Sequence, residues 1–97
     1  MLPVIFMKDL KKIGQICAKV RREKGYTQLK ASFDVGYAPE NISSFENGRN
    51  DNMRIFLWYL ENCVTEHNIV EFINEIKETG ERGKIVLNTL YGELNEH

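Results

Sequence analysis

The chain has 97 residues, 42% hydrophobic and 28% charged, which suits one small globular domain with a core but without a deep active-site cleft as well. Its two cysteines, Cys17 and Cys63, show no Cys-x-x-Cys or Cys/His spacing, so neither a disulfide framework nor a zinc or other metal site is supported. The net charge of -1 conceals a split: residues 1–54 carry ten Lys/Arg against six Asp/Glu, net +4, while residues 55–97 carry three against eight, net -5. A cationic half beside an anionic one fits a phosphate-facing surface backed by a solvated or partner-facing one, although simple variation along a short chain gives the same split.

Residues 1–7 form an apolar extension. Leu2 to Met7 is too short for a signal peptide, follows no basic stretch and precedes no small-residue cleavage site. Nothing else approaches a membrane span, so the chain reads as cytoplasmic, with no membrane partner. The extension is either an arm that packs on a neighbour or an artefact of translation start, since Met7-Lys8-Asp9 resembles an ordinary beginning.

From Lys8 to Lys24, Leu10, Ile13, Cys17 and Val20 recur at helical spacing, and Ile16 widens the stripe. Lys11, Lys12, Lys19 and Arg22 sit elsewhere on the wheel, and Gly25 is the natural stop. Both cysteines stand among apolar neighbours, as reduced thiols filling core space. Thr27 is placed to cap a second helix, with Gln28 in its first turn and Gly36 near its end. Ala38-Pro39-Glu40 begins a third helix, with Pro39 at the first helical position and Glu40 at the positive end of the dipole. Ile42 and Phe45 give that helix its buried side, and Gly48 ends it.

Met53 to Leu60 is apolar almost all round, including Phe56, Trp58 and Tyr59, and requires cover on more than one side. Thr65 is the expected cap of a helix whose stripe is Ile69, Phe72, Ile73 and Ile76, with Glu71, Glu75 and Glu78 outside it. Gly80-Glu81-Arg82-Gly83 signals a turn. Leu87, Leu90, Tyr91 and Leu94 follow helical spacing, and helix is preferred here to the strand that Ile85, Leu87 and Tyr91 would also allow.

The central run, Thr27-Gln28 through Gly36 to Ile42-Ser43 and Phe45-Glu46-Asn47-Gly48-Arg49, resembles the phage repressor and Cro type of helix-turn-helix protein, the XRE-like family. The resemblance covers roughly residues 10 to 60. It implies an all-α fold: a compact helical bundle containing a repressor-type helix-turn-helix over residues 8–62, plus one or two extra C-terminal helices. Residues 63–97 then pack on that unit or form a dimer interface. The family pairs an Arg of its first helix with the Glu of Glu-Asn-Gly, here Arg21 and Glu46, a structural ion pair. Removing one member of such a pair costs roughly 3 to 5 kcal/mol where burial is complete.

Carried over position by position, the resemblance implies that Gln28, Asn47 and Arg49 meet phosphate oxygens of double-stranded DNA, with backbone N–H groups at the second helix start and after Gly48. Plainer readings make Gln28 an exposed first-turn residue, Asn47 a helix C-cap and Arg49 a solvated charge. Base readout falls to Ala38, Pro39, Glu40, Asn41, Ser43 and Ser44. This face departs from the family, whose members often place Gln, Arg or Thr there. Glu40 is able to accept from a cytosine amino group, Asn41 to pair with adenine, and Pro39 or Ala38 to touch a thymine methyl. Glu40 equally serves the helix dipole alone.

The resemblance implies a sequence-specific transcriptional regulator, a repressor from a phage or other mobile element, binding as a homodimer with the helix near 39–47 in the major groove. The alternative is a protein-interaction module of the antitoxin or antirepressor type, acting on a protein partner through acidic residues 61–97. An enzyme is not expected, and no cofactor is implied: His67 and His97 stand apart from any Cys, Asp or nucleophile grouping.

Overall fold

The computed structural model describes residues 4–81 and 83–88, and among these every regular element is helical. Helix α1 spans Val4–Lys24. It begins ahead of the expected Lys8 because no Gly, Pro or capping side chain separates Val4 from Lys8, so the hydrogen-bond ladder continues through the apolar run. Residues 1–3 of the expected extension lie outside the described residues. Leu10, Ile13, Cys17 and Val20 are buried and Ile16 half-buried, the face that the periodicity marks out. At its end the N–H groups of Gly25 and Tyr26 donate back to the carbonyls of Arg22 and Arg21, both at 3.0 Å, around a Gly25 φ of +82°.

Helix α2, Gln28–Val35, starts where the Thr27 hydroxyl accepts the Lys30 N–H at 3.0 Å and ends on left-handed Gly36. Helix α3, Pro39–Glu46, has Ala38 extended before it and Pro39 at its start, where the fixed φ of proline is already helical. Asn47 takes the C-cap position and Gly48 follows with φ +75°. Two close approaches set α1 against this end of α3. A Cβ on Gly14 would lie 2.5 Å from the carbonyl oxygens of Phe45 and Glu46, and one on Gly48 would lie 2.5 Å from the Lys11 backbone.

Helix α4, Met53–Asn62, is capped by Asn52, whose side-chain oxygen accepts the Ile55 N–H at 3.1 Å. Its aromatic block is covered from several sides, as its composition requires. Phe45 stacks on Tyr59 with ring centroids 5.6 Å apart, Tyr26 meets Trp58 at 6.0 Å, and Phe72 of helix α5 meets Phe56 at 6.1 Å. Trp58 also donates its indole N–H to Asp34 at 2.9 Å, tying α4 to α2.

Helix α5, Ile69–Lys77, corrects one expectation. Asn68, not Thr65, occupies the position before the helix. Thr65 opens the preceding turn, donating its N–H to Asn68 Oδ1 at 2.7 Å and accepting from His67 N–H at 3.3 Å. The buried side narrows accordingly to Phe72 and Ile76, with Ile73 half-buried; Ile69, at the first turn, is 43% exposed. The turn at Gly80 is present, but Gly83 is already helical. Its segment, 83–88, buries Val86 and half-buries Leu87. The rest of that expected helix, Leu90, Tyr91 and Leu94, lies outside the described residues. One core joins all these elements, from Ile13 and Cys17 through Ile42 and Tyr59 to Phe72, Ile76 and Val86. Both cysteines are buried free thiols, and burial pushes the Cys63 thiol up to about 11. Among the described residues no helix is long and apolar enough to cross a membrane.

Candidate functional site

A buried carboxylate, Glu46, organises the junction of α1, α2, α3 and α4. Arg21 reaches it from α1 with a bidentate grip, Nε to Oε2 at 2.7 Å and Nη2 to Oε1 at 3.0 Å. The remaining Arg21 arm donates to the Tyr26 carbonyl at 2.7 Å, which fixes the approach to α2. Tyr59 donates to Oε2 at 2.5 Å and Gln28 Nε2 to Oε1 at 2.9 Å. Burial by itself would raise the Glu46 pKa, but the donors Arg21, Tyr59 and Gln28 outweigh it and hold the carboxyl below its ordinary 4.5. The same contact raises the Arg21 guanidinium, and burial followed by Glu46 raises the Tyr59 phenol. Glu46 is therefore an anion with matched donors, and the start of α2 is fastened to the end of α3.

That fastening decides where the candidate residues stand. Ala38, Pro39, Glu40 and Asn41 are exposed along the start of α3, while Ser43 and Ser44 are half-buried on the same helix. Ile42 and Phe45 point inward, 0% and 3% exposed. Asn41 is braced through its carbonyl, which accepts from the Asn50 side chain at 3.3 Å. Asn47 is exposed and bonds its side-chain N–H to the Ser43 carbonyl at 2.8 Å. Arg49 carries an exposed guanidinium. Its backbone N–H donates to the Ser44 carbonyl at 2.8 Å, closing the helix end, so that N–H is not free for a ligand as the sequence reading has it. The Lys30 N–H is likewise taken up by the Thr27 cap. Gln28 is half-buried on Glu46 and is not the simple exposed first-turn residue of the plainer reading.

Over 72 residues, 73% of its length, the chain is 33% identical to the uncharacterized HTH-type transcriptional regulator y4dJ of Sinorhizobium fredii, covering 92% of that protein. This chain belongs to the helix-turn-helix transcriptional regulators. No family model and no solved structure matches it.

In this helix-turn-helix regulator the charge split has a spatial form. On the side of α1 facing α5, Lys19 is held by Glu71 at 3.3 Å and Glu75 at 3.1 Å, which raises its pKa through those two acids and lowers that of Glu71. A hollow of about 380 Å³ beside it is lined by charges of both signs, Lys12, Lys19, Glu75 and Glu78, with Gln15, Ile16 and Thr79. On the other side of α1, a hollow of about 360 Å³ opens between Gln15, Ala18, Arg21 and Arg22, the start of α2 at Gln28, and Glu46-Asn47. The sequence reading places Gln28 and Asn47 here but passes over Gln15 and Arg22. Their signal lay in spacing: 15, 18 and 22 share one face of α1, off the apolar stripe. Among the described residues no group of three or more His, Cys, Asp or Glu is placed to hold a metal ion.

Proposed function

We propose that this chain is a sequence-specific DNA-binding transcriptional regulator, a repressor of the phage Cro type from a phage or other mobile element. It docks α3 in the major groove and acts as a homodimer. The observation that carries this reading is the division of α3: Ile42 and Phe45 are spent on the core, while Ala38, Pro39, Glu40 and Asn41 are left exposed at its start. A recognition helix meets base edges with those N-terminal residues. Gln28, Asn47 and Arg49 flank it, where phosphate contacts fix register without reading sequence. Glu40, Asn41, Ser43 and Ser44 supply the polar readout, with Ala38 and Pro39 offering apolar contact to a thymine methyl. A single unit with a few phosphate contacts binds weakly, so affinity comes from pairing two half-sites. Selection of bound fragments from random duplex DNA tests this directly. A recovered palindrome supports function, dimer and half-site spacing together; failure to enrich any sequence sinks the reading.

A second reading, a protein-interaction module acting through residues 61–97, is favoured by Val70, 69% exposed beside Ile69 and flanked by Glu66 and Glu71. It calls for feeble DNA binding at physiological salt and a partner held by this acidic helix.

A further inference from the structure

We propose that the outer face of α2, built from Leu29 and Phe33, is the surface through which two copies of this chain pair. The proposal rests on the homodimer of the reading above and deepens it by naming where the copies meet. Helix α2 turns Ala31, Ser32 and Val35 into the protein. Leu29 and Phe33 stand one turn apart on its other side, 68% and 86% exposed, and neither takes part in the core. A helix that is apolar on two sides has more to bury than its own fold covers.

The charges beside this face select a second copy as its occupant. Lys30 and Asp34 run along one flank of it, one turn apart, and pair at 3.4 Å. Both are held in place: the Lys30 ammonium lies 5.3 Å from the centre of the Tyr26 ring, and Asp34 accepts the Trp58 indole N–H at 2.9 Å. The flank therefore carries one charge of each sign. In a two-fold contact, whatever residue of one copy meets a second residue of the other is matched by the reverse pair. With the two α2 helices antiparallel, Phe33 of each copy lies over Leu29 of the other, and Lys30 of each comes beside Asp34 of the other. The face is complementary to itself. The other exposed apolar pair, Ile69 and Val70, is not: its nearest charged neighbours in sequence are Glu66 and Glu71, so two-fold pairing there sets carboxylates against carboxylates. Two side chains cover less than the roughly 800 Å² per partner of a standard interface, so the pairing is weak and readily reversed, with Phe33 as its anchor.

Sedimentation equilibrium of the full chain over a wide concentration range, without DNA, tests the assignment. The unaltered chain is expected to dimerise. Phe33→Glu is expected to weaken the dimer by at least about tenfold, and Leu29→Glu to act in the same direction. Lys30→Glu, which sets two acids side by side across the two-fold, is expected to weaken it by about two- to fivefold. Val70→Glu is expected to leave it unchanged. The altered side chains are all exposed, so circular dichroism of each variant is expected to show intact helices. If Val70→Glu abolishes the dimer and Phe33→Glu and Leu29→Glu do not, the α2 surface is overturned while the homodimer stands. If Phe33→Glu leaves the dimer intact and weakens binding to a fluorescent duplex, the face belongs to DNA and the proposal is overturned likewise. A chain that stays monomeric at every concentration removes the homodimer and its surface together.

Discussion

Tyr59 donates its hydroxyl to Glu46 at 2.5 Å, so that the carboxylate of the Glu-Asn-Gly turn is held from α4 as well as from α1 and α2. The contact is buried and its acceptor is charged, the setting in which a hydrogen bond contributes most. Tyr59→Phe keeps the ring stacked on Phe45 and removes only the donor. The expected loss is about 1.5–3 kcal/mol, read as a lower urea midpoint with unchanged slope. An unaltered midpoint would show that Arg21 and Gln28 satisfy Glu46 without it.

The same carboxylate sets a pH dependence. Glu46 titrates below its ordinary 4.5 in the folded chain, so it stabilises the fold above that value and the contribution disappears as pH falls through the folded pKa. Removing the Tyr59 donor moves the folded pKa back toward 4.5. The acid-unfolding midpoint of Tyr59→Phe, followed by circular dichroism, is therefore expected at higher pH than that of the unaltered chain. Coincident acid midpoints would mean that another group governs the transition.

Arg21→Met leaves Glu46 as a buried anion with neutral donors only, and the expected cost is about 3–5 kcal/mol. Changing Glu46→Leu in the same chain removes the stranded charge, so the double variant is expected to be more stable than Arg21→Met alone. Thermal unfolding decides the order; a double variant less stable than both singles would show that the network, not the uncompensated charge, dominates.

Much of this arrangement was legible in the chain. The helices of residues 8–62 announce themselves because their signals are local: a hydroxyl at Thr27, glycines after α1, α2 and α3, Pro39 at a first turn. Arg21 and Glu46 were found through the family pattern. The role of Tyr59 was not, because inside an apolar block its ring has sufficient reason to be there, and its hydroxyl acquires a partner only when the fold brings Tyr59 to Glu46 at the end of α3. Gln28 shows the same limit, since nothing in its sequence neighbours reveals a bond to a residue eighteen positions away. Thr65 misled for the converse reason: its hydroxyl suits a cap, but the competing Asn68 amide bonds its N–H and the Cys63 carbonyl, and helix α5 waits until Ile69.

Gly14 was likewise silent, a glycine inside an otherwise ordinary helix. Its absent Cβ is what lets α1 touch the carbonyls of Phe45 and Glu46, where an added methyl would stand 2.5 Å from both oxygens. Those oxygens are backbone and cannot swing aside, so Gly14→Ala forces α1 away from α3. Alanine would otherwise improve an interior helix position by about 1 kcal/mol. The expected outcome is instead a loss of at least about 1–3 kcal/mol, as for overpacked cores. A gain in urea midpoint would mean that the helices separate at no cost.

On the proposed docking Gln28 serves two ends, and its variants separate them. One amide N–H lies on Glu46 at 2.9 Å, and the docking proposed above gives the other to a phosphate oxygen. Gln28→Ala removes both, so urea unfolding should register the loss of a bond to a charged acceptor, about 1.5–3 kcal/mol, while DNA affinity falls on every duplex alike. Gln28→Glu adds a like charge beside Glu46 and turns a donor into an anion facing phosphate, so both stability and DNA affinity should fall further. The two readouts need not move together. If Gln28→Ala lowers the unfolding midpoint but leaves DNA affinity unchanged at all salt concentrations, the side chain serves the fold alone, and phosphate contact at the start of α2 is refuted.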